Sequence, residues 1–172
     1  TIQSRTIKSL PLEAAFSSKG IYRAEVRGEA VISKERFKAI NAFRAEEGLS
    51  LLANSRNSAT GGLRTKDPSE TARRQLDAFI FQLGYAVDKN GRDVLPAIKS
   101  HHDAIDFLGN IGFKVSRGEK KLCHGIQEVI DQCNHWALIR DEYPFEIDGM
   151  VIKVDSFDLP DMCGYTSHHT RW

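Results

Sequence analysis

Alternating apolar and charged residues predict β-strands in this chain. Residues 23–32 place apolar side chains on one face and charged side chains on the other, which is typical of a strand with one solvated or ligand-facing side. The apolar face holds Ala24, Val26, Ala30 and Ile32, and the charged face holds Arg23, Glu25, Arg27 and Glu29. Residues 76–87 are apolar at odd and even positions, which predicts a strand buried on both faces. A short third strand is predicted over residues 113–115.

Helices are predicted where apolar residues recur at helical spacing next to capping residues. Ser33 is a good N-cap for a helix that Gly48 ends. The apolar stripe of this helix, expected in the core, is Phe37, Ile40 and Phe43. Asp67-Pro68 provides an N-cap and a proline at the first helical position, which predicts a short helix through about Arg74.

Two more helices are predicted further along the chain. Ser100 starts one of them and Gly109 ends it. The next begins at Ile126 with an amphipathic pattern, and Tyr143-Pro144 ends it. The first turn of the earlier helix carries two histidines that are expected to be solvated, His101 and His102.

Residues 145–155 place an acid and a lysine inside an otherwise strand-forming apolar run. Asp148 and Lys153 would be costly to bury there without a partner, so they indicate a charged ligand or solvent. Alternation puts Lys153 on the same face as Val151, which would serve as an apolar platform beside the cation. An edge strand with a simply solvated Lys153 is the alternative interpretation.

Residues 54–64 are rich in small side chains and deliver two guanidinium groups, Arg56 and Arg64. Such a segment lets the backbone approach a ligand closely, and the arginine fork matches phosphate geometry. We therefore expect a phosphate-contacting segment here.

The order of elements favours one α+β domain with mainly antiparallel sheets flanked by helices. The 172 residues are enough for one domain with its own core. No regular strand–helix–strand alternation is present, and residues 23–32 have one charged face, which is common in antiparallel sheets.

Composition narrows the class of protein. With 41% hydrophobic and 27% charged residues, the chain is typical of a soluble globular domain, and no apolar run is long enough to span a membrane. Three cysteines without C-x-x-C spacing favour a reducing cytoplasm and predict neither a disulfide framework nor a bound structural metal. Residues 1–75 hold 14 Lys+Arg against 8 Asp+Glu, an excess that fits a phosphate-binding face.

Several widely spaced motifs occur in order along the chain. They are Val26-Arg27-Gly28-Glu29-Ala30, Asn54-x-Arg56-Asn57 with Gly62-Leu63-Arg64, Glu146-Ile147-Asp148-Gly149-x-Val151-Ile152-Lys153, Gly164-Tyr165-Thr166-Ser167 and Arg171-Trp172. Together they resemble the nucleotidyltransferase (adenylation) domain of bacterial NAD-dependent DNA ligases over nearly the whole chain, and several motifs in order are more specific than any single one. Ser55 departs from the family, which usually has proline there.

The resemblance implies roles for individual residues. Glu29 corresponds to the carboxylate near the adenosine ribose, and Lys153, with Val151 beside it, to the lysine that contacts the adenylate phosphate. Asp148 corresponds to a catalytic acid that supports metal or arginine partners. The arginines that engage phosphates of nucleotide or nicked DNA correspond to Arg56, Arg64 and Arg140, and Arg64 is also assigned a catalytic role.

The implied activity is sealing of nicks in duplex DNA through enzyme-AMP and DNA-AMP intermediates, in DNA repair and replication. NAD would donate AMP with Mg²⁺ as the metal, and a cytoplasmic monomer is expected. The family's nucleophile is a lysine in a Lys-x-Asp-Gly motif, which does not occur in these residues. We expect this motif upstream of Thr1 and another lysine beyond Trp172, so that the domain is partial at both ends and does not adenylate itself alone.

Two alternatives remain open at this point. One is a ligase-like paralogue that binds nucleotide or DNA without sealing. The other is an ATP-dependent ligase or capping enzyme, which shares the chemistry, and only the resemblance of residues 54–64 argues against it.

Overall fold

A computed structural model of the chain describes residues 2–157 and residue 159. Within these residues a two-stranded antiparallel sheet is flanked by six α-helices and two short 3₁₀ helices, Gln3–Thr6 and Phe16–Lys19. The strands are β1 (Arg23–Val31) and β2 (Asp77–Val87), and the helices are α1 (Lys34–Glu46), α2 (Ser55–Arg64), α3 (Pro68–Arg74), α4 (Leu95–Ile98), α5 (His101–Asn110) and α6 (Ile126–Ile139). The predicted α+β class with antiparallel pairing is confirmed. None of the described helices combines the length and apolarity that crossing a bilayer requires.

Two irregularities interrupt the ladder between β1 and β2. The register shifts between Glu25 and Val26 and again between Arg27 and Gly28, so that Gly84 and Phe81 of β2 have no partner opposite them. Such bulges bend a strand and re-aim its side chains. Ile80 and Gln82, on either side of Phe81, stay paired with β1, whereas Phe81 itself is turned outward.

The prediction that residues 76–87 are buried on both faces is wrong. Phe81 and Tyr85 are 43% and 44% exposed, whereas Ile80 and Leu83 are buried. Both side chains lie outside the two clusters of buried residues, so this part of β2 keeps contact with solvent.

Two clusters of buried residues hold the sheet and helices together. One joins β2 to α4 and α5 through Ile80, Leu83, Ile98, Phe107 and Leu108, among others. The second joins the other end of the sheet to α2, and its members are Ile7, Ile32, Ala59, Leu76 and Ala78. The first cluster makes α5 a rigid support for whatever is attached to its N-terminus.

Local capping fixes the beginnings of the predicted helices. The Ser33 hydroxyl accepts a hydrogen bond from the backbone N–H of Arg36, and the Ser100 hydroxyl does the same for Asp103. Asp67 caps α3, with Pro68 at the first helical position as predicted. The expected core stripe of α1 is correct only in part, because Phe37 and Ile40 pack against the second cluster and Phe43 is 57% exposed.

Residues 54–64, predicted as a segment whose backbone approaches a ligand, instead form helix α2. The Asn54 side chain accepts from the N–H of Asn57 and caps the helix. Small residues serve close packing there: Ser58 and Gly62 are buried, and a Cβ on Gly62 would lie 2.8 Å from Cδ of Arg74. The two arginines are therefore delivered by a helix surface.

Two predicted strands are not formed. Residues 113–115 have no strand assignment, although the N–H of Ile80 donates to the carbonyl of Lys114 (2.8 Å). Residues 145–155 also have no strand assignment: Lys153 contacts Phe81 of β2, but no ladder of the described sheet includes this segment, and a single bridge follows it, between Ser100 and Ser156. A strand requires a paired neighbour, and apolar periodicity alone does not supply one.

Candidate functional site

Arg56 connects two acidic residues that are far apart in the sequence. Its Nη1 contacts Oδ2 of Asp148, and its Nε lies 3.3 Å from Oε1 of Glu29. The contacts join α2, β1 and residues 145–155 at one point. The side chains are 65%, 52% and 81% exposed for Arg56, Glu29 and Asp148, so the three charges remain accessible to a ligand.

The first turn of α2 is held against the same segment by Ser55. Its hydroxyl donates to Oε2 of Glu146 at 2.5 Å, and the serine itself is buried. Proline, which is usual at this position in the resembling family, would also fit the first turn of a helix but would offer no hydroxyl. The hydrogen bond from Ser55 fixes where Arg56 projects.

A groove of about 700 Å³ lies beside this cluster. Its lining includes Glu29, Phe81, Val151 and Lys153. The rest of the lining comes from α5, α6 and the intervening loop, and includes His101, Ser116, Lys120, Leu122, Val129 and Cys133. The three residues that the sequence assigns to nucleotide binding, Glu29, Val151 and Lys153, therefore line one groove. Their roles in binding remain predictions.

Lys153 is held in the groove by its contacts with Phe81. Its Nζ donates to the carbonyl oxygen of Phe81 (3.5 Å) and lies 5.1 Å from the centre of the Phe81 ring. The bulge at Phe81 leaves that carbonyl outside the regular pairing with β1. Burial, and then the nearby Arg27 cation, lower the pKa of Lys153. An anion bound in the groove would offset both effects, because it stabilises the charged amine.

The structure does not bring all the predicted arginines to one point. Arg64 ends α2, eight residues after Arg56, which corresponds to about 12 Å along a helix. Arg64 is exposed and forms no ion pair with the residues described. Arg140 follows α6, and its Nη2 donates to the carbonyl of Ile147 (3.3 Å), next to Asp148. Arg56 and Arg140 therefore meet the chain at two adjacent residues, whereas Arg64 lies apart from both.

His101 was expected to be solvated, and that prediction is wrong. Its side chain is partly buried in the groove wall, and burial, followed by the charge of Lys153, lowers the pKa of His101 to about 4. The imidazole is therefore neutral at physiological pH. Neither His101 nor Phe81 was singled out from the sequence as a site residue, because only the fold brings α5 and the bulge of β2 to the same groove.

No group of three or more metal-binding side chains is found among residues 2–157 and 159. Glu29 and Asp148 both contact Arg56. Both carboxylates of the site are thus paired with the same guanidinium group. The motifs at 164–167 and 171–172, and also Cys163, lie outside the described residues.

An open groove with a lysine, a carboxylate, an apolar wall and adjoining arginines has the chemistry of a site for a phosphorylated ligand. A family model described as "NAD-dependent DNA ligase adenylation domain" matches residues 1–172. The chain belongs to this family.

Relatives that carry the name DNA ligase support the same assignment. The chain is 54% identical over 169 residues to a DNA ligase of Persephonella marina, covering 98% of the chain and 24% of the relative. It is 52% identical over 169 residues to a DNA ligase of Sulfurihydrogenibium azorense, covering 98% of the chain and 24% of the relative. It is 46% identical over 168 residues to a DNA ligase of Aquifex aeolicus, covering 98% of the chain and 23% of the relative. The chain spans about a quarter of the length of these relatives.

Proposed function

We propose that this chain is the nucleotide-binding part of the adenylation domain of an NAD-dependent DNA ligase, with a nucleotidyltransferase fold across residues 1–172. The observation that carries the proposal is the meeting of Glu29, Val151 and Lys153 in one groove, next to the Arg56 cluster. Membership of the family and the DNA ligase relatives support the same function.

In this proposal the groove holds the AMP part of NAD. The base lies against the apolar surfaces of Phe81 and Val151, and Glu29 accepts hydrogen bonds from the ribose hydroxyls. Lys153 contacts the phosphate that becomes the adenylate. This assignment uses the exposed ring of Phe81 and the 79% exposure of Val151, which leave both side chains free to contact a ligand.

The arginines serve the phosphates in the proposed reaction. Adenylyl transfer passes through an in-line phosphoryl transition state, in which cations directed at the phosphate oxygens provide much of the stabilisation. Arg56 and Arg64 are proposed to contact phosphates of the nucleotide or the nicked DNA, and Arg140 to do so while it holds the segment with Asp148. Asp148 orients Arg56 for this contact.

The amine nucleophile is proposed to come from outside these residues. The chain has no Lys-x-Asp-Gly motif, and the role proposed for Lys153 is contact with the phosphate. Mg²⁺ is proposed to arrive with the nucleotide phosphates, since magnesium commonly keeps waters and few protein ligands. The complete protein would act on nicked duplex DNA as a cytoplasmic monomer in replication and repair.

Nick sealing by the full-length protein tests this function. A nicked duplex is incubated with the protein and either NAD or ATP, and ligated strands are separated on a denaturing gel. We expect sealing with NAD, and at least a hundredfold slower sealing for Glu29→Ala and Lys153→Ala with little change in the melting temperature. Lys38→Ala, an exposed lysine of α1, is the matched control.

Each other result has a definite meaning. Sealing with ATP but not NAD would replace the proposed cosubstrate. Binding of nucleotide or DNA without sealing would favour a ligase-like binding protein. Wild-type rates in both groove variants would refute the roles proposed for Glu29 and Lys153.

A further inference from the structure

The N-terminus of α5 is occupied by Asp155. The backbone N–H of His101 donates to the carbonyl oxygen of Asp155 (2.7 Å), and the N–H of His102 donates to its carboxylate Oδ1 (2.7 Å). A bridge between Ser100 and Ser156 lies beside these two hydrogen bonds. One residue thus binds two successive N–H groups that a helix leaves without internal partners.

This contact attaches a segment that has few other attachments. Residues 149–154 form no hydrogen bond with the described part of the chain except the one from Lys153 to Phe81. Before them, the segment is held at Ile147 by Arg140 and at Asp148 by Arg56. After them, Asp155 is the next attachment point, only two residues from Lys153.

The support to which Asp155 is attached is rigid. Helix α5 buries Ala104, Ile105, Phe107 and Leu108 against β2 and its neighbours. A carboxylate also interacts favourably with the positive end of a helix, so the contact is electrostatic as well as geometric. Since its first N–H groups are already taken, and that of Asp103 is bonded to Ser100, the N-terminus of α5 is not available to a ligand phosphate.

We propose that Asp155 is a positioning residue for Lys153. By binding the N-terminus of α5, Asp155 fixes the backbone of residues 149–154. It thereby places the Lys153 ammonium group over Phe81, where it contacts the nucleotide phosphate. This inference rests on the proposed function, because it takes the phosphate contact of Lys153 as its readout.

Paired variants of the full-length protein test the proposal. Asp155→Ala removes the carboxylate acceptor, whereas Asp155→Asn keeps an oxygen that accepts from the N–H of His102. Asp103→Ala removes an exposed carboxylate from the same turn of α5 and is the matched control. The measurements are the rate of AMP transfer from NAD and its KM, with amide hydrogen exchange of residues 150–156 followed in parallel.

We expect Asp155→Ala to reduce kcat/KM for NAD about tenfold and to accelerate exchange in residues 150–156. Asp155→Asn should stay within about threefold of the wild type, and Asp103→Ala within about twofold. In a Lys153→Ala background, Asp155→Ala should cause no further loss, because its effect passes through Lys153. A residue with only a general structural role would reduce activity in both backgrounds.

The outcomes separate this inference from the function on which it rests. If the wild type transfers AMP from NAD and Asp155→Ala does so equally well, the positioning role alone is refuted. The role is also refuted if Asp155→Ala reduces kcat/KM for NAD as much in the Lys153→Ala background as in the wild type. It is refuted as well if Asp155→Asn reduces kcat/KM as much as Asp155→Ala does. A wild type that transfers no AMP refutes the proposed function itself.

Discussion

Replacing Arg56 by alanine removes the side chain that joins Glu29 to Asp148 in the described structure. The guanidinium contacts a carboxylate on β1 through Nε at 3.3 Å and a second carboxylate, of Asp148, through Nη1. In the proposed reaction the same group faces a phosphate. The variant therefore tests whether Arg56 acts mainly in stability or mainly in catalysis.

The structure predicts a small effect on stability. All three side chains are more than half exposed, and ion pairs of this kind contribute about 0.2–1 kcal/mol each. Losing both pairs should lower the free energy of unfolding by roughly 1 kcal/mol, which is a decrease of about 2–4 °C in the melting temperature of a domain of this size. The two freed carboxylates remain solvated, so no buried charge is left without a partner.

The effect on catalysis should be much larger. A preorganised donor to the transition-state charge typically contributes about 3 kcal/mol, which corresponds to a loss of roughly a hundredfold in rate. Arg56→Lys should fall between the wild type and alanine, since lysine keeps the charge without the two-pronged geometry of the guanidinium.

The assay combines calorimetry with single-turnover sealing of a nicked duplex by the full-length protein. Arg73→Ala is the matched control, because Arg73 is also exposed and its only ion pair in the described structure is with Glu70 on the same helix. We expect similar melting temperatures for both variants and slow sealing for Arg56→Ala alone. Sealing by Arg56→Ala within twofold of the wild type would refute the reasoning, as would an unfolding transition lowered by much more than 4 °C.

Three further predictions concern other parts of the site. Arg64→Ala should weaken DNA binding and reduce the slope of log affinity against log salt by about one, and an unchanged slope would assign Arg64 to the surface only. As the pH falls, His101 is protonated in the unfolded state before it is protonated in the folded state. Its contribution to the free energy of unfolding is therefore complete above pH 6.5 and is lost as the pH falls toward about 4. We expect a loss of roughly 1 kcal/mol in the free energy of unfolding, which is less than the full change in pKa implies because the imidazole keeps solvent contact. In urea denaturation, His101→Gln should show a flatter dependence of stability on pH than the wild type, and an identical dependence would contradict the burial argument. We expect that the 172-residue chain alone acquires no covalent AMP when it is incubated with radiolabelled NAD and Mg²⁺, since it lacks Lys-x-Asp-Gly. Labelling would make Lys153 the suspected nucleophile, which Lys153→Arg would check.

Features that depend on neighbours in the sequence were predictable. The helix starts at Ser33, Asp67 and Ser100 follow from one side chain that accepts from an N–H two or three residues later. Strand β1 followed from alternation within nine residues. The motifs that carry the family resemblance are also local, and the family assignment by comparison agrees with them.

Features that depend on what lies beside a segment were not predictable. The apolar run of residues 145–155 has strand composition, but in the described structure its backbone bonds to the N-terminus of α5 and pairs with no strand. Small residues at 54–64 were interpreted as room for a ligand, and they instead provide room for Arg74 against α2. In both cases the sequence specifies side-chain size and polarity, whereas the packing partner decides the conformation.

The site shows the same division. The sequence by itself indicated that Glu29, Arg56, Asp148 and Lys153 carry charge where ordinary packing would not require it. Only the tertiary structure decided that Arg56 meets Asp148 across 92 residues, that a bulge turns Phe81 toward Lys153, and that His101 lies in the groove wall. The physical reason is that a charge pattern is a property of the chain, whereas the distance between charges depends on how the buried residues of β2, α2 and α5 pack.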